Sequence, residues 1–193
     1  MTLPQHRHER QDWQTPGWLL QAARRVLGGI DLDPASDGEA NKFVMAARYY
    51  DDDGLRRDWA GRVWLNPPYG KIGPHSSQGI WLEKLCGEYE RGSVTAALLL
   101  VNAATDTRWF QRLWERPLCF LHPRVRFVLP GTARQSASPT HASVTACFGS
   151  HSVVNQFRTV FREHGQIVIP GGGYGRCDRR AGTDASSPVA GRY

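Results

Sequence analysis

No stretch of the chain approaches the roughly 18 consecutive apolar residues of a membrane-spanning helix. The most apolar segment, residues 94–101 (VTAALLLV), is far too short. The opening MTLPQHRHER lacks an apolar h-region, which predicts no secretory signal. Cysteine is sparse: Cys86, Cys119, Cys147 and Cys177 are widely spread, with no C-x-x-C pair. That spacing excludes a zinc ribbon and a disulfide scaffold, and predicts a reduced, cytoplasmic setting. His6 and His8 could bind metal but read better as part of a frayed basic terminus, and His122, His141, His151 and His164 have no ligand spacing, so no metal is expected. Lysine is scarce as well, three of the 24 bases. What is present, 193 residues at 40% apolar content, suffices for one domain of ordinary size.

The net charge of +6 is unevenly placed. Residues 30–58 hold eight acids against four bases, whereas residues 108–134 hold six arginines against Glu115 alone. An acidic third followed by a basic third points to two different ligands, one of them polyanionic. A genome that writes arginine for lysine is the bland alternative.

Apolar periodicity alternates between strand and helix. Residues 1–11 are polar and read as a flexible N-terminus. Thr15-Pro16 reads as N-cap and first turn of a helix stopped at Gly28-Gly29. Short buried strands are predicted at 30–33 and 62–65, with 36–50 ambiguous between helix and loop. A glycine-rich loop at 70–79 precedes a helix at 80–89. Residues 94–101 form the clearest buried strand, and their continuous apolar run suits a sheet covered on both faces. A helix at 107–115, strands at 118–121 and 144–148, a helix at 159–164 and a strand at 167–169 complete the pattern. The segment from 171 to 193 is composed like a disordered tail. Alternation of this kind predicts an α/β domain over residues 12–170 with a mainly parallel sheet and ligand loops at strand C-termini.

Two such loops carry the chemistry. Asn66-Pro67-Pro68-Tyr69 follows a strand directly. Consecutive prolines fix φ near about −65° and remove two N–H groups, so the Pro67 carbonyl projects from a rigid loop with no local donor. Asn66 adds a second acceptor and Tyr69 a flat face. Two acceptors and a stacking plate suit a planar ring that bears an exocyclic NH₂. The other loop is Asp33-Pro34-Ala35-Ser36, in which Asp33 could also simply cap a turn.

Val63-Trp-Leu-Asn-Pro-Pro-Tyr-Gly70 resembles the catalytic motif of S-adenosylmethionine-dependent amino-methyltransferases in the form typical of adenine N6 enzymes. The wider layout is similar to the phage-type DNA N6-adenine methyltransferase family. Its matches are Asp12-Trp13-Gln14-Thr15-Pro16, Leu32-Asp33-Pro34-Ala35-Ser36, Asp53-Gly54-Leu55 with Asp58-Trp59, and Arg124-Val125-Arg126-Phe127. The resemblance implies a compact Rossmann-like methyltransferase fold. It implies that Trp13, Thr15, Pro16, Asp33, Pro34, Ala35 and Asp53 (or Asp52) hold S-adenosylmethionine. It further implies that Asn66, Pro67, Pro68 and Tyr69 engage the target base, with Lys71, Arg124 and Arg126 on DNA.

There are departures from the family pattern. Asp37-Gly38-Glu39 stands where a glycine-rich turn is usual, Glu39 being only a guess for the ribose acid. Asp33 and Asn66 are too close in sequence for two further βα units. No separate target-recognition domain is found, so base reading falls to loops 70–79 (Lys71, His75, Ser76, Ser77) and 124–141. The implied reaction is methyl transfer to N6 of a flipped-out adenine in double-stranded DNA, in a bacterial or phage-infected cytoplasm. Action on cytosine N4, RNA or a protein glutamine, or an inactive DNA-binding relative, are the alternatives.

Overall fold

The computed structural model of the chain describes residues 14–128 and 140–171. The expected N-terminal segment, Trp13 and all but the first residue of the expected tail lie outside them.

Nine strands, four α-helices and a 3₁₀ helix follow one another among the described residues. Helix α1 (Gly17–Leu27) leads into β1 (Leu32–Asp33), α2 (Gly38–Val44), β2 (Arg48–Tyr49) and β3 (Gly61–Leu65). A small hairpin, β4 (Lys71–Ile72) and β5 (His75–Ser76), precedes α3 (Ser77–Glu90) and β6 (Val94–Asn102). The 3₁₀ helix Phe110–Glu115, β7 (Leu118–Leu121), β8 (Ser143–Phe148), α4 (His151–Phe161) and β9 (Gly165–Val168) complete the chain.

Seven strands form one sheet in the order β2-β1-β3-β6-β8-β7-β9. The β2, β1, β3 and β6 block is parallel throughout, while β8, β7 and β9 are joined by antiparallel pairings. Five of the seven strands therefore point the same way, β8 and β9 being the exceptions. This is the expected α/β architecture with a mainly parallel sheet.

Strand β6 shows why its sequence is apolar without a break. Successive side chains alternate between faces. Ala96, Leu98 and Leu100 enter the core under α1 and α4, while Val94, Ala97, Leu99 and Val101 enter the core under α3 and the 3₁₀ helix. From Ala96 to Val101 both faces are covered, so no position there is left for a polar residue; Thr95 stands exposed near the strand's start.

Several local expectations are corrected. Thr15 is not an N-cap: α1 begins at Gly17 behind Pro16, whose carbonyl accepts from the Leu19 and Leu20 N–H groups. The ambiguous stretch resolves into α2 and β2, with Asp37 capping α2 through its carboxylate to the Glu39 and Ala40 N–H groups at 2.8 Å each. That cap replaces the glycine-rich turn. Loop 70–79 is a hairpin plus the first turn of α3, and the expected 107–115 helix narrows to a single 3₁₀ segment. Helix α4 starts well before residue 159: Phe157, Val160 and Phe161 bury one stripe against α1.

Candidate active site

Strands β1 and β3 are parallel neighbours, with Leu32 opposite Val63. The loops after Asp33 and Leu65 therefore leave the sheet side by side, at the edge where parallel strands end. Asn66 leads out of β3, Pro67 is buried, and Tyr69 is 42% exposed.

The Asn66 amide is held at both ends. Its Nδ2 donates to Thr15 Oγ1 at 3.1 Å, and its Oδ1 accepts from the Tyr69 hydroxyl at 3.2 Å. An amide oxygen has two lone pairs, so one acceptor position on Oδ1 stays open. The Pro67 carbonyl accepts from no donor among the described residues. Desolvation around the Tyr69 ring holds its phenol above the ordinary value, which keeps it a hydrogen-bond donor.

This loop is fastened to a distant part of the chain. Gln14 and Val128 form an antiparallel bridge, N–H to carbonyl in both directions at 2.8 and 2.9 Å. The bridge lays the 124–128 segment beside Thr15. Phe127 meets Tyr69 edge-on, with ring centroids 6.2 Å apart and planes at 75°. Asn66, Thr15, Gln14, Val128, Phe127 and Tyr69 so close a ring of contacts. Along the segment Val125 is buried while Arg124 and Arg126 point to solvent, an alternation visible in the sequence. Sequence reasoning gave Phe127 no role of its own and assigned Thr15 the wrong hydrogen bond.

The second loop is built around Asp33, which is 3% exposed. Its Oδ1 accepts from the Ala35 N–H at 3.1 Å, so the turn-capping role is present. Yet no lysine or arginine pairs with it among the described residues. Burial pushes its carboxyl up to about 7, against the Ala35 and Ser36 hydrogen bonds that lower it. Two residues earlier, Asp31 has the opposite fate. The Arg62 guanidinium binds its carboxylate at 2.7 and 2.9 Å and holds it down to about 2. Arg62 also reaches the Leu27 and Gly28 carbonyls at the end of α1, so this pair serves the fold.

The acidic loop lies directly on the Asp33 turn. A Cβ on Gly54 would stand 2.0 Å from the Pro34 carbonyl oxygen and 2.9 Å from the Trp81 ring, so only glycine fits. Trp59 Nε1 donates to the Gly54 carbonyl at 2.7 Å and fixes the turn from below. Asp53 precedes Gly54 with φ at +47° and its side chain 57% exposed, 4.0 Å from Arg56. Asp52 is engaged by Arg57. Of the two, Asp53 is the one carried to the mouth of the Asp33-Pro34-Ala35 loop.

Thr15, Pro16, Asp33, Pro34, Ala35 and Asn66 to Tyr69 thus converge on one edge, with Asp53 beside them. Lys71 sits in the exposed β4 strand two residues beyond Tyr69. Pro68 is half-buried and gives the loop its stiffness. Glu39 faces solvent on α2, bonded to Lys42 at 2.6 and 2.8 Å. No group of three His, Cys, Asp or Glu able to hold a metal occurs among the described residues. No helix among them is long and apolar enough to cross a membrane.

A family model described as DNA N-6-adenine-methyltransferase (Dam) matches residues 4–163, most of the chain. Neither a curated protein nor a solved structure matches it.

Proposed function

The chain belongs to the DNA N-6-adenine-methyltransferase (Dam) family, and on that premise we propose that it methylates N6 of an adenine flipped out of duplex DNA, using S-adenosylmethionine. The observation that carries this reading is the Asn66 amide, oriented from both ends with one acceptor position open.

The methyl donor has a chemical counterpart in the chain. S-adenosylmethionine supplies an electrophilic methyl on a positively charged sulfonium and bears an ammonium group nearby. Asp33 offers a buried carboxylate that lacks a cationic partner among the described residues, so a cation fits there. Thr15-Pro16 and the first turn of α1 lie beside it, where unbonded N–H groups suit a carboxylate. Asp53 at the loop mouth suits an amino group.

Adenine inside a duplex cannot reach such an edge, so the base has to leave the stack and lie against Tyr69. The two N6 hydrogens are then taken by Asn66 Oδ1 and the Pro67 carbonyl. These acceptors favour a tetrahedral nitrogen and draw its lone pair out of conjugation with the ring. The N–C bond forms as the S–C bond breaks, and N6 loses one proton to solvent after transfer. No strong base is required. Placement and fixed acceptors supply the rate, which is why the hold of Thr15 and Tyr69 on Asn66 matters.

Transfer of tritiated methyl to unmethylated duplex DNA, followed by nucleoside analysis, tests the reading. Label in N6-methyladenine, lost in Asn66→Ala, is the expected result. Label in cytosine, in RNA or in protein would replace it with one of the other amino targets. Absence of label with intact cofactor binding would make the chain a DNA-binding relative.

A further inference from the structure

The catalytic edge continues into a surface that the reaction does not use. Beside the 124–128 segment lies an open groove of about 270 Å³, lined among others by Trp18, His122, Arg124, Arg126, Glu163 and His164. The Gln14–Val128 bridge and the Phe127–Tyr69 contact place its near end against the loop that takes the target base. Trp18 is 40% exposed, and its ring lies tilted on His164 with centroids 4.8 Å apart. An exposed indole next to guanidinium groups is the composition of a stacking platform for single nucleotides.

A second groove, of about 520 Å³, runs between α4 and β9. Asn155, Arg158, Thr159 and Arg162 form its wall on successive turns of one helix face. Arg162 lines this groove and the next two residues, Glu163 and His164, line the first. Residues 162–164 thus run from the lining of one groove into that of the other. Described residues from 103 onward carry seven arginines against Asp106, Glu115 and Glu163. This basic surface adjoins the segment that carries Phe127 to Tyr69.

We propose that the two grooves form one track for DNA, which seats a nucleotide flanking the target adenine on Trp18 and takes phosphates further along through Arg158 and Arg162. The proposal rests on the DNA-methylating reading above. It assigns binding to Trp18, Arg158 and Arg162, which lie outside the motifs of the catalytic loop. A polyanion is favoured because both grooves are arginine-lined and only Glu163 opposes them.

The test uses the full chain and a methylatable duplex, with affinity measured at several salt concentrations. Replacing Arg158 and Arg162 with alanine together is expected to weaken all sequences alike. It should reduce the slope of log K against log[salt] by nearly two units, one per lost phosphate contact. Both arginines are surface residues on α4, and thermal melting checks that the fold is kept. Trp18→Ala is expected to weaken binding on the order of tenfold, with Trp18→Phe close to wild type because a stacking face remains. A duplex with 5-iodouracil next to the target adenine should cross-link to Trp18 on irradiation. Unchanged slope and affinity in both alanine variants, in a wild type that methylates the same duplex, would overturn the track and leave the reaction standing. Tighter binding to duplex RNA than to DNA would overturn it as well. A wild type that labels no nucleic acid removes the DNA reading and the track with it.

Discussion

The parallel and antiparallel halves of the sheet carry opposite charge. Strands β2, β1 and β3 and their loops hold the acidic third of the sequence, whereas the chain around β7, β8 and β9 is rich in arginine. Within the acidic half the charges divide again. Asp31 is committed to Arg62 and Asp37 to the start of α2, while Asp33 is buried without a cation. The two carboxylates that serve the fold have their partners built in, a guanidinium for one and backbone N–H groups for the other; Asp33 has no cation among the described residues. Among the described residues the basic half shows no comparable buried acid, and Arg124, Arg126, Arg158 and Arg162 turn outward beside open grooves. Asn66 stands in the parallel half, with the outer half reaching its loop through Phe127. In the reading proposed above, each half faces a ligand of opposite sign, and the reaction takes place where the two meet.

The largest expected effect breaks that meeting point alone. Asn66→Ala should lower kcat by about 10²–10³, since it removes an acceptor from the reacting nitrogen. Affinity for S-adenosylmethionine by calorimetry and for DNA by fluorescence anisotropy should each change little. Retention of more than a third of wild-type kcat would take Asn66 out of the chemistry.

A second change separates the acidic half from the basic one. Asp33→Asn should weaken S-adenosylmethionine by at least about tenfold and leave DNA affinity unaltered. The wild type should also bind the cofactor more tightly as pH rises through about 7, because the ionised carboxylate is the form that attracts a cation. Stability moves the other way. The folded value lies above the unfolded 3.8, so the stability Asp33 contributes is complete below that value and is lost as pH rises through about 7. The unfolding free energy of the unliganded protein, from denaturant titration, should fall between those two values by on the order of 1 kcal/mol per pH unit, and Asp33→Asn should flatten the fall.

Thr15→Val should cost roughly fivefold in kcat, the worth of one hydrogen bond, with Thr15→Ser restoring it. Equal loss in both would assign Thr15 to packing. The smallest effect is expected from Tyr69→Phe, a few-fold at most, since the ring face is kept and one hydrogen bond to Asn66 is lost. Tyr69→Ala should be much worse, at roughly 1–3 kcal/mol of lost stacking. Equal severe loss in both would give the hydroxyl the larger role.

Much of this was legible in the sequence because it is local. An apolar strand running straight into Asn66-Pro67-Pro68-Tyr69 states both its chemistry and its place at a sheet edge. The alternation in Arg124 to Phe127 states which side chains face out. Helix α4 was read only at its end, at 159–164, although Val153, Phe157, Val160 and Phe161 have helical spacing. A start of His151-Ser152 after Gly149-Ser150 disguises it as loop. Strand direction in the outer half was not legible: β7 and β8 read as apolar runs that carry no sign of orientation. Nor was the bond between Thr15 and Asn66, whose partners meet only through the tertiary fold. The Thr-Pro pair looks like an ordinary helix start, and its hydroxyl was accordingly given to the helix.

The Gln14–Val128 bridge also sets the order in which the protein can become active. Its two residues stand far apart in sequence, so they can pair only after about two thirds of the chain has been made. Closing so large a loop is entropically costly and is recovered only once the sheet between them exists. Until then Phe127 has no place against Tyr69. A growing chain that has finished β3 already holds its catalytic motif, yet it lacks the second clasp. In the reading proposed above, methylating power therefore arrives late in the life of each molecule, once the segment after β7 is made and seated.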